Sequence, residues 1–439
     1  MPHPLFTPVN LPNGQILPNR IAKAAMEESM ATTGQLPGPM LTNLYRTWAR
    51  GGAGLLITGN VMVHDAALTG PAGVVLDKDT PLEPYRRWAG AAHTGGGKVW
   101  MQINHPGRQI QRNMPGVTWG PSATRVNTGR TSALFDVPEE MTEAQITATI
   151  DRFVDTARQA ERAGFDGVEI HAAHGYLLSQ FLSPLSNTRT DSWGGSLHNR
   201  ARLLLEITRR TRDAVSPGFA VAVKLNSADF QRGGFDKDDA RQVIAWLAPL
   251  GVDLVELSGG SYESPAMTGN PAGRQDARTA AREAYFLELA EELVTDSPVP
   301  LMVTGGVTRR PVAEKVIDSG VAVVGIGTAL AVDPGLPNAW RSGQDAAVTV
   351  PRVRIRDKAL ASAASMARVR YQLRRLGRGR PASVRTNALW AFGVEQIRDT
   401  LARRRYAAWL DDRDTRTDTH RVYERPKYTA SHQGFKLPH

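Results

Sequence analysis

Gly164-Phe-Asp-Gly-Val-Glu-Ile-His-Ala-Ala-His-Gly-Tyr176 is the stretch on which the fold turns. Gly164 stops a helical pattern, and an apolar run from Val168 to Ile170 leads directly into His171, His174 and Tyr176. A helix that ends on glycine and feeds a short apolar strand is one half of a strand–helix repeat. Three side chains able to hold or donate protons gather at the end of that strand. Beyond it, Leu177 to Asn187 passes from apolar to turn-rich and leads to Arg189-Thr-Asp191, Trp193-Gly-Gly195 and Asn199-Arg200.

The helix entering this stretch is announced by Thr142-Glu-Ala-Gln145, a capping box, with Met141 and Ile146 placed as a hydrophobic staple. Ile146, Ile150, Phe153, Val154 and Ala157 form its apolar stripe. The same alternation fills most of the chain. Apolar runs fall at Ile21–Met26, Gly54–Thr58, Val99–Ile103, Phe165–His171, Ala220–Lys224, Asp253–Leu257, Val299–Val303 and Val321–Gly325. Continuous runs of this kind belong to strands buried on both faces, as in a parallel sheet. Helical patterns lie between them, at 198–214, 237–249, 282–295 and 310–319 among others. Eight such alternations predict an α/β fold, a (β/α)8 TIM barrel. A doubly wound sheet is the alternative. It lacks its fingerprint here, because Glu27-Glu-Ser29 follows the first strand where glycines would cradle a dinucleotide.

Around the barrel, Phe6 to Arg20 predicts an N-terminal hairpin turning at Pro12-Asn-Gly14. The connection from His105 to Glu140 is long and rich in Gly, Asn, Thr and Pro, which suits a functional loop over a site. The expected division is a barrel over residues 1–343 and a basic, mostly helical extension over 344–439. In the extension, Val353–Leu376 is rich in Ala and Arg. Trp390, Val394, Ile397 and Leu401 make an apolar stripe there, and Asp411–His439 reads as extended. The formal charge of +10 belongs to this part. Residues 341–439 carry 22 Lys and Arg against 9 Asp and Glu, and residues 1–340 carry 31 against 34. No nucleic-acid-binding motif accompanies that charge, so nucleic acid is not an expected partner. Packing on the barrel or on a second copy, giving a homo-oligomer, suits it better. The absence of Cys among 439 residues removes disulfides, cysteine nucleophiles and iron–sulfur clusters. Met1-Pro-His-Pro4 lacks the features of a secretory leader and no apolar run is long enough to span a membrane, so a cytoplasmic location is expected.

Barrels of this class place reacting groups at the C-terminal ends of their strands. Those ends carry Ala25-Met26-Glu27, Thr58-Gly59-Asn60, Gln102 with Asn104-His105-Pro-Gly-Arg108, the His171, His174, Tyr176 group, Lys224, Ser258-Gly-Gly-Ser-Tyr262, Thr304-Gly305-Gly306 and Gly325-Ile-Gly327-Thr328. Glycines after the last two strands suit a phosphate group, since bare backbone N–H groups and helix N-termini can approach its oxygens. Arg309 and Arg310 lie beside them. His171-x-x-His174 matches a zinc spacing, but no third ligand stands at another strand end, so no metal is expected. The pair suits hydrogen bonding to a carbonyl or nitro oxygen, with Tyr176 as a general acid.

These residues carry a resemblance to the old yellow enzyme family of FMN-dependent NAD(P)H oxidoreductases. It spans roughly residues 3–343 and rests on five segments in order. They are Pro18-Asn-Arg-Ile21, Gln102-Ile-Asn-His-Pro-Gly-Arg108, Gly167 to Arg202, Val303-Thr-Gly-Gly306, and Gly325 to Trp340. The resemblance implies non-covalent FMN across the barrel mouth, with NADH or NADPH as donor. Ala24, Ala25, Met26 and Glu27 would line the flavin edge near N5 and O4, with Asn60 at another edge and Gln102 at the pyrimidine ring. Lys224 would lie near N1 and O2, and Gly305, Gly306, Gly327 and Thr328 would hold the phosphate. His171 and His174 match the pair that holds the substrate oxygen, and Tyr176 the proton donor to an activated alkene. Three positions depart from the family. Glu27 stands for Thr or Cys, Lys224 for Arg, and Thr328 for a phosphate-binding Arg. Glu27 motivates a second reading, an FMN dehydrogenase that oxidises a C–H or C–N bond. A third is a non-catalytic flavoprotein acting through its basic tail.

Overall fold

The computed structural model of the chain describes residues 3–260, 263, 292–349, 351, 353–355, 357–383 and 385–417. Its centre is a closed ring of eight parallel strands. These are β1 (Ile21–Lys23), β2 (Leu55–Ile57), β3 (Lys98–Asn104), β4 (Gly167–Ala172), β5 (Ala220–Asn226), β6 (Leu254–Ser258), β7 (Leu301–Thr304) and β8 (Val323–Ile326). The ring closes where Val324 pairs with Ile21 at β8–β1. β3 pairs with both β2 and β4, Leu56 standing opposite Val99 and Gly167 opposite Trp100. Residues of all eight strands are almost wholly buried, as the apolar runs require. β1 and β2 are shorter than the runs suggest, because the chain leaves the sheet after Lys23 and Ile57.

The outer layer is α1 (Pro39–Arg50), α2 (Glu83–Ala92), α3 (Glu143–Arg162), α4 (Leu197–Ala214), α5 (Lys237–Leu247) and α6 (Arg310–Asp318). α3 starts as its sequence dictates. Thr142 Oγ1 accepts from the Gln145 N–H at 3.2 Å, and Gln145 Oε1 accepts from the Thr142 N–H at 2.8 Å. The helix expected over 282–295 lies outside the described residues for most of its length, as does Tyr262.

The hairpin forms from Val9–Asn10 and Ile16–Leu17, and it plugs one end of the barrel. Val9, Leu11 and Leu17 pack into a cluster with Ala22, Leu55, Trp100, Ala220, Leu254 and Met302. Gln15 fixes the plug. Its Nε2 donates to Asp166 O at 2.8 Å, and its Oε1 accepts from Trp100 Nε1 at 3.0 Å. With the N-terminal mouth filled by the hairpin, the C-terminal strand ends are left to carry the chemistry.

Beyond the barrel stand two helices, α7 (Lys358–Gly377) and α8 (Ala388–Thr417). Leu373 and Leu376 of α7 join the cluster that holds Leu41 and Leu44 of α1. Tyr406 and Leu410 of α8 pack with Met62, Ala66, Leu68, Val75 and Ile110 at the mouth. A fully buried side chain of this size contributes about 1.5–3 kcal/mol, so four of them dock the extension firmly on the barrel. α8 corrects two expectations. The stripe of Trp390, Ile397 and Leu401 faces outward, with exposures of 54%, 66% and 53%. The docking face is instead Ala391, Glu395, Ala402, Tyr406 and Leu410. Asp411–Thr417, expected to be extended, continues α8, and 418–439 lies outside the described residues. No helix among the described residues is long and apolar enough to cross a membrane.

Candidate active site

β4 delivers His171 to the mouth, and the turn after it brings back His174 and Tyr176. The His171 and His174 rings stand edge to face at 5.0 Å, and His171 meets Tyr176 in the same way at 5.0 Å. His171 Nδ1 accepts from the Ala173 N–H at 3.2 Å, which leaves the ring proton on Nε2. His174 holds a left-handed backbone, φ 63°, rare for a residue with a Cβ. Three contacts impose it. Its N–H donates to Asn226 Oδ1 at 3.0 Å, its carbonyl accepts from Gln109 Nε2 at 2.9 Å, and its Nε2 lies 2.7 Å from Ser258 Oγ. Such strain, over-determined by its surroundings, is characteristic of functional loops. Gln180 locks the turn by donating to Gly175 O at 2.6 Å and Pro106 O at 3.1 Å. Burial drives both histidines well below the ordinary imidazole range, helped at His171 by His174 and at both by Lys224. They are neutral donors and acceptors at neutral pH.

The other motif residues of this stretch are structural. Asn187 Nδ2 donates to Phe181 O and Trp193 O, each at 2.8 Å, and Arg200 Nε donates to Leu182 O at 2.7 Å. Arg189 Nη1 donates to Met141 O at 2.8 Å while its Nε meets Asp191. Arg108 staples the long loop, donating from Nη1 to Thr124 O at 3.0 Å and from Nη2 to Glu263 at 2.7 Å.

Inside the barrel lies a buried charge network. Lys224 Nζ sits 2.5 Å from Glu256 Oε1, and Gln102 Nε2 donates to Glu169 Oε2 at 2.6 Å. Burial raises Glu169 well above the carboxylate range, and the Glu256 charge adds to it. Burial pushes Glu256 the same way, but the Lys224 charge together with hydrogen bonds from Glu169, Lys224 and Thr304 outweighs it and holds Glu256 low. Counted as ions, Glu169 Oε1 and Glu256 Oε2 are both buried without a donor. A proton on Glu169 supplies that donor, so the pair shares one proton and the network carries no net charge.

The implied FMN was tested against the residues present. At β7 and β8 the backbone is bare. Gly306 adopts φ 67°, which a side chain would oppose, and neither Gly327 nor Arg309 caps its following helix with a side chain. Thr328 is exposed beside Gly327. Uncovered N–H groups of this kind suit phosphate oxygens. Arg310 donates from Nε to Glu314 at 2.6 Å and from Nη1 to Trp340 O at 3.1 Å. At β1, Ala24 and Ala25 are small, and Met26 lies over Gly327, where a Cβ would meet its side chain at 3.9 Å. Asn60 is half-buried at the end of β2. The last residue of β3, Asn104, is buried with both amide atoms unpaired among the described residues. The residues present fit the group: uncovered backbone N–H groups after β7 and β8 would face its phosphate, and the small side chains after β1 would leave room for its ring.

Two features were beyond the sequence reading. Lys23 is buried, donating to Ile57 O at 2.7 Å and Tyr45 Oη at 3.0 Å, with Glu28 at 3.6 Å. A lone strand lysine gives no local sign of that. The second is Glu27. Its Oε1 accepts from Thr69 Oγ1 at 2.5 Å, and its Oε2 accepts from Arg370 of α7 at 2.5 Å. The carboxylate that departs from the family is thus paired with a cation from the extension.

A pH prediction follows from the neutral histidines. His105, stacked on Trp119, is lowered to about 3 by burial and then by the Arg152 charge. Its unfolded value is about 6.5. Between these values the unfolded chain binds a proton that the folded chain refuses, so stability falls as pH falls below about 6.5. Each such histidine costs about 1.4 kcal/mol per pH unit. Urea midpoints should therefore drop between pH 6.5 and 5, and His105→Gln should reduce proton uptake on unfolding by about one. An unchanged slope in His105→Gln would mean that His105 titrates normally.

Three comparisons with known proteins agree with this geometry. Residues 4–346 match the model of the NADH:flavin oxidoreductase / NADH oxidase family. The NADH-dependent flavin oxidoreductase iliE of Hypocrea jecorina is 37% identical over 354 residues, covering 75% of this chain and 87% of that protein. The old yellow enzyme homologue from Zymomonas mobilis superimposes with TM-score 0.66 at 25% identity, over 79% of this chain and 94% of its own. A 2-naphthoyl-CoA reductase superimposes with TM-score 0.71 at 25% identity, over 78% of this chain and 52% of its own. The matched family residues end before α7 and α8.

Proposed function

Because the chain belongs to the NADH:flavin oxidoreductase / NADH oxidase family, an FMN-dependent enzyme of old yellow enzyme type, we propose that it reduces electron-poor alkenes conjugated to a carbonyl or nitro group. The observation that supports this most is the convergence of His171, His174 and Tyr176 around one point at the mouth. When bound, FMN would supply the hydride chemistry that links a nicotinamide donor to the β-carbon of the alkene. The protein residues hold the substrate and manage its charge and its proton. His171 donates from Nε2 to the carbonyl or nitro oxygen. His174 donates from Nδ1 if Ser258 is the donor to its Nε2, which the 2.7 Å contact allows. As hydride arrives at carbon, negative charge grows on that oxygen and both bonds strengthen. A single donor of this kind is worth roughly 2.7–4 kcal/mol in the transition state. Neutral imidazoles suit the task, since they donate without giving up a proton. Tyr176, nearly buried beside His171, protonates the α-carbon. Gln102 would hold the flavin's pyrimidine ring, Ala24, Ala25, Met26 and Asn60 its edges, and Gly305, Gly306, Gly327 and Thr328 its phosphate. Lys224, paired with Glu256 at 2.5 Å, would stand near N1 and O2 of the ring.

The oxidative reading draws on Glu27 changing the surroundings of N5; the pairing of Glu27 with Arg370 at 2.5 Å softens that change and favours the reductive reading. A substrate panel under NADH tests the proposal. Cyclic enones and nitroalkenes should turn over, and unconjugated alkenes of the same size should not. Equal rates with both classes, or none with either, would contradict an oxygen-polarising site.

A further inference from the structure

We propose that the C-terminal extension is a working part of the active site, with Arg370 as a positioning residue that neutralises Glu27 beside the flavin. The proposal rests on the reading that FMN lies along the end of β1. Glu27 follows the β1 end by four residues, and its carboxylate is shared between Thr69 and Arg370, each at 2.5 Å. Both charged side chains are largely buried, with 19% exposure each. A carboxylate so placed would be costly without its partner, and the cation comes from a helix outside the family match.

Arg370 is held as firmly as it holds. Its Nη1 lies 3.5 Å from Glu395 Oε1 of α8. Glu395 is in turn gripped by both terminal nitrogens of Arg374, one turn further along α7. Arg374 Nη2 also donates to Ser29 O at 3.4 Å, two residues from Glu27. Residues four apart on one helix face therefore clamp the loop after β1 from above. α8 pins the neighbouring loop independently. Tyr406 Oη donates to Asp65 O at 2.8 Å, and Arg413 reaches Asp65 at 3.2 Å and Asp77 at 2.7 Å. Thr69 belongs to that second loop, so Glu27 is where the two loops and the extension meet. The basic charge of the extension, surplus in the sequence, is spent in part on barrel carboxylates at the mouth.

The consequence is electrostatic. A flavin that has accepted a hydride is richer in electrons, and an unpaired carboxylate beside it opposes that state. Arg370 cancels the opposition and keeps Glu27 turned toward Thr69. The test is the two-electron midpoint potential of the bound flavin at neutral pH, in wild type, Arg370→Met, Arg370→Lys, Glu27→Gln and the double variant Arg370→Met/Glu27→Gln. Arg370→Met should shift the reduced-to-oxidised ratio about tenfold toward oxidised, which is about 30 mV. Glu27→Gln should shift it the other way, while Arg370→Lys and the double variant should stay near wild type. Urea midpoints of the five apoproteins separate folding from tuning. A stability loss in Arg370→Met with an unmoved potential would make Arg370 purely structural and overturn the proposal. So would a double variant as displaced as Arg370→Met. Enone turnover by wild type is measured apart from these potentials. An enzyme that turns over while all five potentials coincide overturns this proposal alone. Failure of turnover with shifted potentials overturns only the substrate reading.

Discussion

Tyr176→Phe should leave the reduction of bound flavin by NADH nearly unchanged and slow the following reduction of an enone by ~10²–10⁴, the usual range for a positioned general acid. The asymmetry is the point of the experiment. Tyr176 stands edge-on to His171 at 5.0 Å and is 6% exposed, so phenylalanine can keep its packing and lose only the hydroxyl. The donor step needs no proton from the protein, because the nicotinamide supplies hydride and leaves as a cation. The acceptor step does, since the α-carbon must be protonated. The Tyr176 hydroxyl, beside His171, is the group placed to supply it. Pre-steady-state mixing measures the two half-reactions separately. Equal slowing of both would place Tyr176 in flavin or nicotinamide binding, and the role of proton donor would fall.

Lys224→Met should destabilise the apoprotein by about 3–5 kcal/mol, the cost of leaving a buried charge without its partner. Lys224 Nζ stands 2.5 Å from Glu256, both side chains almost wholly buried. Removing the cation leaves Glu256 and Glu169 facing each other around a single shared proton. Against a typical folding stability of about 5–15 kcal/mol this loss is large, and the variant will be hard to purify at physiological temperature. Lys224→Met/Glu256→Gln should recover most of it, because the second change removes the orphaned charge. Chemical denaturation of the single and double variants reads both values. A single variant within about 1 kcal/mol of wild type would mean that water or a proton already satisfies Glu256. The measurement is made without cofactor, so it reports on the barrel network and not on contact between Lys224 and the ring.

The parts of this molecule that were legible in its sequence are those governed by neighbours in the chain. β4 and its protic end could be read because an apolar run, a glycine stop and the His171–Tyr176 group are contiguous. The capping box of α3 lies within four residues and formed as expected. The docking face of α8 could not be read in this way. It mixes Ala391 and Ala402 with Glu395 and Tyr406, whose burial depends on Arg374 and Asp65. The cleaner apolar stripe of Trp390, Ile397 and Leu401 faces solvent. Lys23 was hidden for the opposite reason. Lysine is rarely buried, and its acceptors at Ile57 and Tyr45 come from other elements. The pairing of Glu27 with Arg370 joins residues 343 apart, and neither position carries a local pattern that announces the other. Glu27 stood out against the Thr or Cys that the family resemblance implies there, while the means of its neutralisation required the fold.

Anaerobic double mixing shows whether the mouth of this barrel carries hydride from a nicotinamide to an activated alkene. NADH is added first and an enone second, with flavin absorbance followed throughout. NADH should bleach the bound flavin, and the enone should then restore its colour in full with one equivalent of saturated ketone formed. A flavin that NADH bleaches and that only oxygen restores would contradict that transfer.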